Sequence, residues 1–266
     1  MLLTGAVLTG LFVRTALSGP LLDPHGFAQL GDSHGLFGSQ QQPSGAHSLG
    51  TAVAGYDVLS RTVWGARTAL ETILAALLLS VIPGTVLGLV SGYLGGRLDR
   101  LLVGLADALY AFPPLLPAVV MAIVISDGQS SPAGGLGAAA AAVAVSFVPQ
   151  YFRVVRAEML RVKAEPSVDA ARVIGTGTWR IMFRHVLRNS VCTLPLIFTI
   201  NASEAILTPA GLGFLGFGIE PDWAAEWGYD LNRSVADVTS GMWWTAVPPG
   251  LGIVRTVLAP PCSARP

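Results

Sequence analysis

The stretch Ser167–Leu187, "SVDAARVIGTGTWRIMFRHVL", is a basic, amphipathic insert between two apolar runs that look made for lipid. Pro166, just before it, suits the first position of a helix, and Asp169 falls in the first turn, where the helix dipole favours an anion. Gly175 is a C-terminal stop. The resulting helix of about nine residues is roughly 13 Å long and too short to hold itself in water. It must therefore pack on something. Ala170 and Ala171 add almost no bulk, so a partner groove can close around the backbone. Trp179, Ile181, Met182 and Phe183 give a second helix an apolar face, with Arg180, Arg184 and Arg188 left for water or lipid phosphate. Two readings fit: a docking element for a soluble partner, and an interfacial helix with snorkelling arginines.

Composition says what surrounds the insert. The chain has 266 residues, 52% hydrophobic and 12% charged, with a mean hydropathy of +0.60. Soluble domains carry about 25% charged residues, so this usage points to a membrane protein. A formal net charge of zero offers no electrostatic footprint for nucleic acid. Eight of the sixteen Lys and Arg residues lie between Arg153 and Arg188. Cys192 and Cys262 are too far apart to suggest a disulfide framework or a metal motif.

About 20 apolar residues cross the hydrocarbon core. Six spans are predicted: Leu2 to Leu17, Ala69 to Leu94, Leu101 to Ile125 with Pro113, Pro114 and Pro117 inside, Leu136 to Val155, Val186 to Leu207, and a marginal Met242 to Ala259. The first is also compatible with a signal-peptide core, but no basic segment precedes it. Alternate loops then sort by charge. The Gly95–Arg100 turn and the Arg153–Arg188 segment are basic, while Thr208–Ser240 carries Glu220, Asp222, Glu226, Asp230 and Asp237 against Arg233 alone. The positive-inside rule places the basic insert and both termini in the cytoplasm. Trp64, Trp243 and Trp244 fall at outer span ends, where aromatic belts sit. The first outer loop, Gly19 to Gly65, reads as long, polar and irregular. Its His25, His34 and His47 match no metal motif, and no metal is expected.

Charged groups inside spans are functional hypotheses by default. Glu71 and Arg255 lie near span ends and can snorkel. Asp107, in the inner third of span three, and Glu204, near the outer end of span five, are candidate pathway or structural groups. A nucleotide-binding loop needs G-x-x-x-x-G-K-[ST], and the single lysine, Lys163, sits in "RVKAEP" without those glycines. No catalytic residue is expected: "AHSLG" (Ala46–Gly50) lacks the first glycine of a hydrolase elbow and the strand before it. "SDGQSSPAGG" (Ser126–Gly135) is too undifferentiated for a channel filter.

"EPSVDAARVIGTGTWRIMFRHVLRNSV" resembles the EAA loop of the membrane subunits of bacterial ABC importers. "GYDVLSRTVWGAR" (Gly55–Arg67), "SGYLGGRLDRLLVGLADALYAFPPLL" (Ser91–Leu116), "VPQYFRVVRAEML" (Val148–Leu160) and "AGLGFLGFGIEP" (Ala210–Pro221) resemble, in order, the C-type permease of dipeptide and oligopeptide importers. The similarity covers Leu49 to Ala259. It departs at Asp169, where the family has glutamate, at Arg188 and Pro209, and in the ending "PPCSARP".

The resemblance implies an all-α integral membrane protein of about six spans. Its parts are a first span and loop (1–65), a permease core (66–259) and a short tail (260–266), with a cytoplasmic coupling helix between spans four and five. It implies a permease rather than an enzyme, in the bacterial plasma membrane. The expected partners are a second permease forming a heterodimer, two cytoplasmic ATPase domains that bind ATP and Mg²⁺, and an extracytoplasmic substrate-binding protein. Carried over, the coupling residues are Asp169, Ala170, Ala171 and Gly175, with Arg172 and Trp179 beside them. The cargo class is peptide; a nickel chelate or haem in the same importer type, a channel, and a non-transporting scaffold are the alternatives.

Overall fold

The computed structural model describes residues 2–33, 35–126, 132–180, 182 and 194–264, and these are predominantly helical. His34, Asp127, Ile181, Phe183, Arg184, Arg188 and Cys192 lie outside the described residues. Helix α1 is Leu2–Leu22 and α2 is Val58–Leu94. Then come α3 (Gly96–Tyr110), α4 (Leu115–Ser126) and α5 (Pro132–Lys163). Two short helices, α6 (Pro166–Val173) and α7 (Thr178–Arg180), follow. The chain closes with α8 (Leu194–Leu212), α9 (Trp227–Thr239) and α10 (Val247–Ala264).

Several expected boundaries move. Helix α2 begins at Val58, not at Ala69, because the Asp57 carboxylate accepts the Ser60 backbone N–H at 2.8 Å and caps it. Its 37 residues make a rod of about 55 Å, longer than the hydrocarbon core. The expected third span is two helices, α3 and α4, bent by 98°. Pro113 and Pro114 cause this, since neither can donate a backbone hydrogen bond and each ring crowds the preceding turn. Ser146 Oγ of α5 donates to the Pro114 carbonyl at 3.0 Å, beside the Ala118 N–H at 3.4 Å, and ties the break to α5. The Gly19–Gly65 segment is irregular between the helices, as expected, apart from a small antiparallel hairpin (Gly31–Asp32 with Gly35–Leu36). It also takes in the end of α1 and the first turns of α2, and side-chain hydrogen bonds pin its turns. The acidic 208–240 segment is likewise folded, with α8 running through Pro209 and α9 filling its second half.

Among the described residues, α2 is long and apolar enough to cross a bilayer alone, and the α3–α4 pair is a second span if taken as one. The shorter apolar helix Gly5–Gly19 lies within α1.

Helices α2 and α5 form the centre. Gly84, Gly88 and Gly92 recur every four residues on α2 and meet α5 directly. A Cβ on them would stand 2.6 Å from Tyr151 Cβ, 2.8 Å from the Phe152 carbonyl oxygen and 2.8 Å from Met159 Cβ. In lipid, where apolar burial gives no drive between helices, such small-residue stripes let backbones approach and gain contact energy. Tyr151, Phe147, Val143 and Leu77 fill the crossing.

The α2 N-terminus marks what is called here the Trp227 end, and its C-terminus the Asp99 end. At the Trp227 end, Trp227 Nε1 donates to the Thr62 carbonyl at 2.9 Å. Its ring lies where a side chain on Gly65 or Gly252 would stand, which clamps α9 between α2 and α10.

Candidate coupling surface and membrane cleft

Helix α5 runs without interruption to Lys163, and α6 follows after a tight turn. The Ala164, Glu165 and Val168 backbone N–H groups donate to Arg161, Val162 and Glu165 carbonyls at 3.2, 3.0 and 3.0 Å. Val168 then plugs α6 into a pocket of Leu89, Val155, Met159, Val162 and Met182 and is 1% exposed. Its neighbours Asp169 and Ala170 are exposed, and the helix continues through Ala171 and Arg172 to Val173. Gly175 adopts φ +80°, the left-handed conformation of a helix stop. Val173 at the end of α6 and Ile174 just past it are 87% and 81% exposed, and Trp179 on α7 is 66% exposed. A short helix seated by the buried Val168, with exposed small and apolar groups on and just after it, has the form of a docking surface.

An ion-pair network braces the elbow behind α6. Arg156 donates to both Asp99 carboxylate oxygens, Nε to Oδ1 at 2.6 Å and Nη2 to Oδ2 at 2.7 Å, and Ser91 Oγ adds a third bond at 2.5 Å. The Arg156 hydrogen bonds, then that of Ser91, pull Asp99 down to about 2. Lys163 Nζ donates to the Tyr93 carbonyl at 2.6 Å. The network ties α2, α3 and the end of α5 together, so α6 hangs from a stiff base.

Asp107 accepts Arg153 Nη2 at 2.6 Å, and the same guanidinium lies 4.4 Å from the Tyr110 ring centroid. Both side chains are about half exposed, so the pair sits at the rim of the bundle. Glu204 is elsewhere. It reaches a cleft under the α3–α4 elbow, lined by Tyr110, Phe112, Pro117, Ser146 and Gln150. The break in span three thus opens a space next to a carboxylate, as in transporters whose broken helices line the substrate path. Glu71 pairs with Arg67 one turn earlier at 3.0 Å.

Sequence reasoning passed over the Trp227 end. Arg61, 3% exposed, donates through Nε to Asp230 at 2.8 Å and through Nη1 to the Phe27 and Pro221 carbonyls at 3.2 Å, joining three distant segments. Glu226 is buried beside them. The N–H groups of Gly228, Tyr229 and Ile219 approach its carboxyl group, whose Oε2 has no hydrogen-bond partner among the described residues. Gly213 and Gly218 leave room for that group: a Cβ on them would lie within 2.6 Å of it or of each other's backbone. Burial, and then the Asp230 carboxylate, push Glu226 up to about 8. The sequence signal was present in the glycines of "AGLGFLGFG", whose spacing fits a carboxyl nest as well as a family motif.

His25 and His47, which share no motif spacing, meet in space, with ring centroids 4.8 Å apart.

Residues 84–256 match the model of the family described as the binding-protein-dependent transport system inner membrane component. The chain is 33% identical over 217 residues to the glutathione transport system permease protein GsiD of Pectobacterium atrosepticum, covering 82% of this chain and 69% of that protein. Against the di/tripeptide transport system permease protein DppC of Pseudomonas aeruginosa it is 38% identical over 211 residues, 79% and 67% of the two chains. Against the dipeptide transport system permease protein DppC of Alkalihalophilus pseudofirmus it is 33% identical over 256 residues, 96% and 80%.

Proposed function

The chain belongs to the family of inner membrane components of binding-protein-dependent transport systems, and from that membership we propose that it is the permease subunit of an ATP-driven importer of small peptides. The observation that carries the mechanism is α6: it is anchored through the buried Val168 and exposes Asp169 and Ala170 at the end of an unbroken 32-residue α5. Asp169, Ala170, Ala171 and Arg172, with Gly175 and Trp179, receive the groove of a cytoplasmic ATPase. Nucleotide and Mg²⁺ belong to that partner. When two ATPases close, α6 is displaced, and α5 transmits the movement because little slack separates them. The glycine-packed α2–α5 pair moves as one body, and the α3–α4 elbow and its Glu204 cleft change shape at the pathway.

The charge distribution supports six spans with the Asp99 end and both termini in the cytoplasm. The Trp227 end then faces the substrate-binding protein, and a homologous second permease completes the pathway. Glutathione, dipeptides and tripeptides are the cargoes in the names of the relatives, which favours short peptides over a nickel chelate or haem.

The test is an Ala170→Arg substitution in the assembled importer. Ala170 is exposed, so the spans are expected to assemble normally while co-purification of the ATPase and peptide-stimulated ATP hydrolysis are lost. Retained ATPase binding would return α6 to an interfacial helix and remove the coupling role.

A further inference from the structure

Three side chains of metal-binding type converge at the Trp227 end from separate pieces of chain. His25 comes from the turn after α1, His47 from the loop before α2, and Asp57 from the cap of α2. One donor atom from each lies within 4.8 Å of the other two. Three atoms so placed always leave a point no more than about 2.8 Å from any of them, against the 2.0–2.1 Å of a zinc–imidazole bond. Less than one ångström of adjustment per ligand closes the difference.

The surroundings are already those of a prepared site. His25 Nε2 lies 2.9 Å from the Ala46 carbonyl oxygen. As the donor in that bond it carries its proton there and leaves Nδ1 for coordination, the outer-partner arrangement usual for metal-bound histidine. Asp57 is fixed through Oδ2 by the backbone N–H and hydroxyl of Ser60, both at 2.8 Å, while its Oδ1 faces His47 Nδ1 at 2.8 Å. The turn carrying His25 is itself pinned: Asp23 accepts the His25 and Gly26 backbone N–H groups at 3.1 and 2.9 Å and Trp64 Nε1 at 2.5 Å. Phe37 packs edge-on against both imidazoles, with centroids 5.1 and 4.7 Å away, and screens one side from water. Ring stacking alone explains why the imidazoles touch. It does not require a buried carboxylate within ligand reach of both rings.

We infer that His25, His47 and Asp57 form a structural site for a divalent ion of the zinc, nickel or cobalt class, clipping the segment before α2 onto that helix. Two imidazoles and one carboxylate suit these metals, whereas magnesium and calcium demand more oxygen ligands. Water completes the coordination. The ion closes the loop between α1 and α2 and so stiffens the surface beside Trp227.

The test uses the full chain co-assembled with its second permease in nanodiscs, with any affinity tag removed and bound metal stripped by chelation. Equilibrium dialysis against Zn²⁺, Ni²⁺ or Mg²⁺, followed by elemental analysis, is expected to show one saturable Zn²⁺ or Ni²⁺ per chain and no retained Mg²⁺. His25→Ala and His47→Gln should each weaken binding by at least about 10-fold, the scale seen for losing even an outer partner of a metal site. The glutamine keeps a donor for Asp57, so that variant folds without the ion. Bound Co²⁺ should give a visible spectrum of nitrogen and oxygen ligands, and Zn²⁺ should raise the thermal midpoint of the wild type but not of His25→Ala. Absence of saturable binding, binding unchanged in both variants, or a cobalt spectrum with thiolate bands would overturn the site.

Discussion

Two carboxyl groups at opposite ends of the α2 rod show how differently the two ends are built. Asp99 sits in the first turn of α3 and is met by a forked guanidinium and a hydroxyl, so it gives up its proton readily. Glu226 is sealed among glycine backbone and next to another acid, so it keeps its proton to about 8. One end is braced by ionic contacts that water can reach. The other is packed shut, with Trp227 and Arg61 buried between helices far apart in sequence. In the proposed orientation the braced end carries the docking helix and the sealed end faces the substrate-binding protein. In that proposal the Trp227 clamp is the fixed end against which the docking helix moves.

Removing the clamp should have the largest effect. Trp227→Ala deletes a buried aromatic that fills space against Gly65 and Gly252, and losses of about 3–5 kcal/mol are usual for such truncations. Thermal unfolding in detergent should show it, together with poor recovery of assembled complex. A small loss would mean that α9 is held by something other than its tryptophan. Gly88→Ala comes next. Its new methyl would meet the Phe152 carbonyl oxygen at 2.8 Å, and since backbone must move, about 1–3 kcal/mol is expected. Gly104→Ala, with open space around its Cβ position, is the matched control and should leave stability unchanged or slightly raised.

The two acids give opposite pH signatures. For Glu226 the folded value is raised from 4.5 to about 8, so its contribution is fully present below about 4.5 and is lost as pH rises through about 8. Glu226→Gln should therefore match the wild type below about 4.5, gain on it as pH rises toward about 8, and keep a constant excess above that. For Asp99 the folded value falls from 3.8 to about 2. Its contribution is present above about 4 and disappears as pH drops through about 2, and Asp99→Asn should remove that dependence. The Asp99 effect is the smaller, because its partner is partly exposed and water screens the pair. Unfolding midpoints measured across pH in both variants check the signs; matching slopes for the two would erase the contrast.

How much of this was legible in the sequence varies with the range of the contact involved. The α6 helix, its glycine stop and the basic insert are local features, and they read correctly from Pro166, Asp169 and Gly175. The helical class follows from apolar run length in the same way. The α3–α4 bend was only half legible. Pro113-Pro114 announces a break, but the 98° angle depends on what α5 and α8 offer to the freed backbone. The Trp227 end was hidden, because Arg61 with Asp230 and Trp227 with Gly65 are pairs more than 160 residues apart that no periodicity links. The folded state of the 19–65 segment was hidden too. Its order comes from side chains such as Asp23, Thr51 and Asp57 that each satisfy backbone groups of a turn, and a polar composition does not reveal such pairings.

The smallest structural change should have the sharpest functional consequence. Ile174 is 81% exposed, so Ile174→Ser should alter stability by no more than about 0.5 kcal/mol, the range for surface positions that support nothing. If α6 and the residues that follow it are the docking surface, however, an apolar side chain so exposed is kept for a partner. Peptide-stimulated ATP hydrolysis and ATPase retention by the complex should then fall in this variant while its unfolding midpoint stays at the wild-type value. The same pair of measurements on Val168→Ala should reverse the pattern, since Val168 is buried against Met159 and Val162 and its loss loosens the anchor before it touches the partner. A variant at Ile174 that lost stability together with coupling would show that this end, like the other, is held by packing. The distinction between a sealed pivot and an open docking face would then have to be abandoned.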